Sequence, residues 1–323
     1  MTFPHDDPDW EDLLRVVADA TARGVGMVEK DYWVCHALWA IHHQGFAVWF
    51  KGGTSLSKGF GLIERFSEDI DVRIDAGTVE GLRDPELPWE DSKKNRRPRG
   101  VAEREAWFDT LAEVVQIPGC TVRRNPDGSD DRVRSAWLEV VYPAHHTGNL
   151  IPDMRPFVLL EVGRARVVPF VERDLSSWVH DWLEARGQLG DFADNRPRAV
   201  RCIHPWVTCL EKLEAIGRKF DQGKAAPDFV RHYDDAARIV AAWNDLRPPG
   251  LDLPALLAAL ATEDRKPMPP PDHPAFLPRP GDPRWQEIVE AWVRIGPMYW
   301  GPRVSLDEAC ETLRVFLTDL PRP

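Results

Sequence analysis

Asp69 and Asp71 sit two residues apart in the run Asp69-Ile70-Asp71-Val72-Arg73-Ile74, which alternates as a strand does. Side chains two apart on a strand share a face, so both carboxylates project together while Ile70 and Val72 turn to a core. Two such carboxylates form a hard-oxygen site suited to Mg²⁺, which usually also binds substrate phosphates. A site of this kind supports in-line phosphoryl or nucleotidyl displacement with one or two metal ions. Upstream, Ala47-Val48-Trp49-Phe50 reads as a short strand, Lys51-Gly52-Gly53-Thr54 as a turn, and Ser55 to Phe60 as a helix. A glycine turn opening a helix lets an anion approach bare backbone N–H groups, and the helix dipole favours it. Each half alone is a common structural feature. One strand–turn–helix–strand unit that carries both points to a polyphosphate and its metal.

Rival motifs fail on inspection. Gly52 to Lys58 lacks the second glycine of a P-loop. Gly53-Thr54-Ser55-Leu56-Ser57 lacks the closing glycine of a hydrolase elbow, and Gly59-Phe60-Gly61 reaches Glu64 where a dinucleotide fingerprint needs glycine. No H-E-x-x-H occurs.

The elements that must position this unit follow from the rest of the chain. Its 323 residues suit two domains or one large one. Helices are expected from Trp10 and from about Val28 to His43. The segment from Asp75 to Gly100 reads as a polar loop, followed by a helix across Val101–Val115. Further strands are expected at Cys120–Arg124, Ala136–Tyr142, Phe157–Val162 and Arg166–Pro169. Beyond Glu172 the pattern turns mainly helical, including Pro205–Phe220, Phe229–Trp243, Arg284–Ile295 and Ser305–Leu317. The proline-dense stretch from Pro267 to Pro283 reads as a rigid surface loop or linker. The expected organisation is an α/β (α+β) half over residues 1–171, built on a small mixed sheet, and a helical half over 172–323.

Composition narrows the function further. With 52 acidic against 41 basic side chains the net charge is -11, which argues against a protein that coats nucleic acid non-specifically. A local basic groove stays compatible with it, and Lys93, Lys94, Arg96, Arg97 and Arg99 form the one dense basic run, a candidate RNA contact. The five cysteines are scattered, with no C-x-x-C pair, which points to reduced thiols and a cytoplasmic setting. No stretch approaches the roughly 20 apolar residues of a membrane span, so no membrane partner is expected.

Lys51-Gly-Gly-Thr-Ser-Leu-Ser-Lys58 followed by Leu62-Ile-Glu-Arg-Phe-Ser-Glu-Asp-Ile-Asp71 resembles the signature of the AbiEii/AbiGii-type nucleotidyltransferase toxins, of the DNA polymerase β-like superfamily. Glu29-Lys30-Asp31-Tyr32-Trp33-Val34 is similar to the helix before that signature. Phe157–Glu161 resembles the strand with a third carboxylate, Glu211-Lys212-Leu213 the helical lysine motif, and Arg231-His232-Tyr233-Asp234-Asp235 the closing motif.

The resemblance implies a palm domain followed by a helical one. It implies Mg²⁺ or Mn²⁺ on Asp69, Asp71 and Glu161, and a nucleotide held by Gly52, Gly53, Thr54, Ser55, Lys58, Lys212 and Arg231. Glu161 is a candidate metal ligand or general base, and Lys212 a point charge for phosphates. Asp234 and Asp235 compete as the last carboxylate; Asp235 is favoured because Ala236 and Ile239 continue the apolar face. Ser67, beside the aspartates, is a candidate site for blocking modification. The implied activity transfers NMP from an NTP to an RNA acceptor, such as a tRNA 3′ end, in a growth-arresting phage-defence toxin with an antitoxin encoded nearby. The alternatives are modification of a protein hydroxyl by the same site and a nucleotide-binding module without turnover.

Overall fold

A computed structural model describes residues 1–67, 69–83, 98–129, 132–150, 154–163, 166–248, 250–263 and 266–321. The chain forms two compact units, one of Met1–Gly59 with Ser67–Cys202, the other of Phe60–Phe66 with Ile203–Pro323.

In the first unit, helices α1 (Trp10–Thr21) and α2 (Val25–His43) precede β1 (Ala47–Lys51), α3 (Gly52–Lys58) and β2 (Asp69–Asp75). Then come α4 (Pro98–Val114), β3 (Thr121–Asn125), β4 (Ser135–Val141), β5 (Val158–Gly163), β6 (Phe170–Arg173), α5 (Trp178–Ala185) and β7 (Val200–Ile203). The seven strands make one mixed sheet in the order β3-β4-β5-β2-β1-β7-β6. Strand β2 runs antiparallel to β1 and parallel to β5, so it sits in the middle with a partner on each side. Val48 and Phe50 of β1, Ile70, Val72 and Ile74 of β2, and Leu160 and Val162 of β5 are buried, as period-two alternation requires. The opposite face keeps the polar residues.

Helix α2 is buried along nearly its whole length, from Gly26 to Leu38, which suits a helix that is apolar almost all round. It nevertheless buries three consecutive charges, Glu29, Lys30 and Asp31, each at most 2% exposed. Charges so placed require partners, and those partners organise the site described below.

The second unit contains α6 (Pro205–Asp221), α7 (Arg231–Ala241), α8 (Leu253–Thr262), α9 (Pro283–Arg294) and α10 (Leu306–Asp319). Trp206 and Trp243 stack at 4.0 Å, and the Tyr233 hydroxyl donates to the Ala275 carbonyl at 2.6 Å. That last bond changes the reading of the proline-dense stretch. Its Ala275 and Phe276 are buried in a short 3₁₀ turn, so the prolines shape a core-packing segment there in addition to any surface loop.

The α/β expectation holds, with differences of extent. The first unit runs on to Cys202 because β6 and β7 return the chain to the sheet after residue 171, and β7 pairs in parallel with β1. The strand expected at Arg166–Pro169 starts at Phe170. Helix α8, in the apolar run Leu253–Thr262, was not anticipated.

Candidate active site

Strand β1 ends at Lys51, and Gly52 turns the chain with φ of +76°. A Cβ built on Gly52 would lie 1.9 Å from Oδ2 of Asp71. Glycine is therefore required twice here, for the left-handed backbone and for the close approach of the carboxylate. Lys51 pairs with Asp71 across β1 and β2, and Asp71 pairs with Glu161 across β2 and β5. Adjacent strands lie about 4.8 Å apart, so Asp69, Asp71 and Glu161 share the polar face of three neighbouring strands beside the glycine turn.

Thr54 fastens the turn to the carboxylate strand. Its hydroxyl donates to the carbonyl oxygens of Ser67 and Asp69, at 2.9 and 2.7 Å. Gly53, Thr54 and Ser55 are buried, Ser55 beside Cys202. Ser67 is 9% exposed, at the point where the chain enters β2.

Among the described residues, no group of three or more His, Cys, Asp or Glu side chains gathers tightly enough to hold a metal ion by itself. Mg²⁺ usually takes one or two carboxylates and completes its shell with water and substrate phosphates. The carboxylates on this face are the right donors for a cation of that type.

One basic residue that sequence reasoning passed over meets this face. Nη1 of Arg155 lies 3.1 Å from Oδ1 of Asp69, and its guanidinium stands 5.6 Å from the ring centroid of Trp137. The Arg155 side chain is 37% exposed, so the pair is worth at most about 1 kcal/mol. Its main chain is held more firmly, because Lys30 Nζ donates to the Arg155 carbonyl at 2.8 Å.

Lys30 is one of three successive anchors on α2. Glu29 accepts the backbone N–H groups of His145 and His146 at 2.8 and 3.0 Å. Asp31 pairs with Lys58 at 2.6 Å and accepts the N–H of Trp178 at 2.9 Å. Lys58 also donates to the Ser176 carbonyl at 2.9 Å. Burial disfavours the Lys58 charge, but Asp31 outweighs it and the ammonium pKa is raised. The phosphate contact expected of Lys58 thus gives way to a buried pair that pins the end of α3.

The second unit holds its own charge cluster. Arg65 grips Asp235 with two bonds, of 2.7 and 2.6 Å, and Lys212 Nζ lies 2.7 Å from the same carboxylate. Burial alone would raise the Asp235 pKa, but Arg65 and Lys212 hold it well below the usual carboxylate range. His232 Nδ1 lies 3.4 Å from Lys212. Asp234 pairs instead with Arg238 at 3.0 Å, and burial raises its pKa. Of the two adjacent aspartates, Asp235 is the one joined to Lys212. Arg231 is half-buried at the start of α7. Arg65 was legible as part of the signature but not as a partner of Asp235, since 170 residues separate them.

Of the basic run, Lys93, Lys94, Arg96 and Arg97 lie outside the described residues, as does the side chain of Arg99 in the first turn of α4. No helix among the described residues is long and apolar enough to cross a membrane.

The fold is similar to that of MenT4, a nucleotidyltransferase toxin from Mycobacterium tuberculosis H37Rv, with a TM-score of 0.50 and 18% identity over 96% of this chain and 90% of that one. No curated protein sequence matches the chain. The family profile described as nucleotidyl transferase AbiEii toxin, type IV TA system, matches residues 37–301, a span that takes in the glycine turn, the three carboxylates and the Lys212–Asp235 pair. The chain belongs to the AbiEii family of nucleotidyltransferase toxins of type IV toxin–antitoxin systems.

Proposed function

We propose that this enzyme transfers NMP from an NTP to an RNA acceptor, the 3′ end of a tRNA, and releases pyrophosphate. Growth arrest in the cytoplasm and phage defence, held in check by an antitoxin encoded nearby, complete the reading. The observation that carries the chemistry is the placement of Asp71, in register with Glu161 on one side and against Gly52 on the other.

A divalent cation, Mg²⁺ or Mn²⁺, held by Asp69 and Asp71 with Glu161 beside them, would offset negative charge on the reacting phosphates. The Gly52–Gly53 turn offers backbone N–H groups to the polyphosphate, and Thr54 keeps that turn in place by its bonds to Ser67 and Asp69. Glu161 takes the proton of the attacking hydroxyl. The hydroxyl oxygen bonds to the α-phosphorus as the bond to the β-phosphate oxygen breaks, and pyrophosphate departs. Lys212 and Arg231 serve as cations for phosphate, with Asp235 holding Lys212.

Incubation with each α-labelled NTP, Mg²⁺ and total RNA, for wild type and Asp69→Ala, tests the reading. Wild type should label RNA, and the variant should lose at least about two orders of magnitude in rate. Label on protein instead would move the acceptor to a protein hydroxyl. If neither labelled product nor pyrophosphate forms under any condition, the transferase reading is wrong.

A further inference from the structure

We infer that a row of alternating cations and aromatic rings, Arg73, Trp49, Arg201 and Phe170, is the platform that receives the end of the acceptor RNA. The inference rests on the transferase reading above and deepens it, by giving that acceptor a place on the sheet.

The row follows from strand register. Trp49 of β1 pairs with Arg73 of β2 on one side and with Arg201 of β7 on the other. Strand β6, which carries Phe170, is the next strand beyond β7. Lys51, two residues on from Trp49, pairs with Asp71, so the row shares the face of the carboxylates. The Arg73 guanidinium stands 5.4 Å from the Trp49 ring centroid, and that of Arg201 stands 5.2 Å from Trp49 and 5.8 Å from Phe170. These are cation–π distances. With strands about 4.8 Å apart the row crosses about 14 Å of sheet, room for about four stacked nucleotides at about 3.4 Å each.

Three observations point to RNA. Phe170 is a 38% exposed ring on an edge strand, and rings interleaved with cations hold single strands by stacking and phosphate contact. Arg201 forms no ion pair among the described residues and rests against the two rings, so its charge is not already compensated by a carboxylate. Arg73 differs, since it meets both oxygens of Asp75 at 3.1 and 2.9 Å; it clamps the Trp49 ring and leaves phosphate to Arg201. The third observation is direction. Along the strands the glycine turn lies on one side of Asp71, and Arg73 and Trp49 lie on the other. In-line displacement sets the attacking oxygen opposite the leaving one. With pyrophosphate departing at the turn, the hydroxyl arrives from the side of the row.

The test uses the full chain, with total tRNA as acceptor and a short single-stranded RNA bearing a 3′ hydroxyl as the binding probe. Phe170→Ala and Arg201→Gln, both at partly exposed positions, should weaken RNA binding about five- to a hundredfold, the range of a lost stacked base or charge-assisted hydrogen bond. Both should raise the KM for the acceptor. Arg201→Gln should also flatten the dependence of log affinity on log salt by about 0.7, the share of one single-strand phosphate. Arg201→Lys should restore that slope but only part of the affinity, because an ammonium lacks the planar fork. Calorimetric affinity for a non-hydrolysable NTP analogue should be unchanged in all three variants. If RNA affinity, acceptor KM and salt slope stay at wild-type values, the inference falls while the transferase reading stands. If affinity for the NTP analogue falls instead, the row holds the nucleobase of the NTP and the inference is equally wrong. If wild type labels no RNA, the RNA-transfer reading falls and takes this one with it.

Discussion

Asp31 and Lys58 form a 2.6 Å ion pair whose side chains are only 3% and 12% exposed. It joins the middle of the central helix α2 to the last residue of α3, the short helix that the glycine turn opens. The Trp178 N–H and the Ser176 carbonyl satisfy further atoms of the pair, so these two side chains fix where the turn can lie relative to the sheet.

Removing one partner from such a pair strands a buried charge. Asp31→Leu and Lys58→Met should each lower unfolding free energy by about 3–5 kcal/mol. Replacing both with apolar residues, as Asp31→Leu with Lys58→Met, should recover much of that loss. Urea denaturation of the four proteins in a double-mutant cycle reads the coupling directly. Additive single losses would show that the pair contributes no interaction of its own.

Gly52 permits a sharper separation of stability from function. Gly52→Ala adds about 1–2 kcal/mol of left-handed backbone strain and also drives a methyl group into the Asp71 carboxylate. Gly187, at φ of +69°, has open space around it, so Gly187→Ala carries the strain alone. Both variants should lose stability, Gly52→Ala the more because of its contact with Asp71, yet only Gly52→Ala should lose nucleotidyl transfer, by about a hundredfold or more. Equal activities in the two would show that Asp71 tolerates displacement.

In the second unit, Arg65 decides how strongly Lys212 is held. Arg65→Gln removes two bonds from a fully buried carboxylate and leaves Lys212 as its principal cation, which should cost about 3–5 kcal/mol. Arg65→Lys should rescue little, because an ammonium cannot reproduce the two-pronged grip. Asp235 has a lowered folded pKa, so its contribution is present above the unfolded value near pH 4 and is lost as pH falls below it. The stability gap between wild type and Arg65→Gln should therefore narrow in strong acid, as acid denaturation curves would record.

The sequence was most legible where chemistry and local geometry coincide. Residues 50–72 lie within one strand–turn–helix–strand unit, so spacing alone placed Asp69, Asp71 and the glycines correctly relative to one another. Partners chosen by tertiary packing left no such trace. Lys58 read as a phosphate ligand because lysine after a glycine turn suggests one, whereas Asp31 on another element claims it. Arg155 and Arg65 were silent for the same reason, having partners 86 and 170 residues away. A usable signal did exist: three consecutive charges inside an otherwise apolar α2 cannot be buried without partners. Strand β6 was placed four residues early and β7 was missed, because four-residue strands carry too little alternation to register a period.

The first unit also contains a buried polar chain that should govern its acid stability. Asn195 Nδ2 lies 2.7 Å from Nδ1 of His36 and donates to the Tyr32 hydroxyl at 2.9 Å, while its Oδ1 accepts from His180 Nε2 at 2.7 Å. His36 donates its one N–H, on Nε2, to the Pro118 carbonyl, and His180 Nδ1 faces the Ser177 hydroxyl. Both rings are therefore used as neutral imidazoles. Protonating Nδ1 of His36 would set a donor against a donor. Burial is the largest cause of both shifts, which lower His36 to about 3 and His180 to about 4. The unfolded chain binds these protons from about pH 6.5 downward while the folded chain still excludes them. Stability is accordingly greatest above that pH and falls between about pH 6.5 and 4, by up to about 1.4 kcal/mol per pH unit for each histidine. Denaturation midpoints across pH 4–8 should show that slope in wild type. Replacing His180 with Gln should make it shallower by up to about 1.4 kcal/mol per pH unit, whatever its cost at neutral pH, and an unaltered slope would place the acid sensitivity elsewhere.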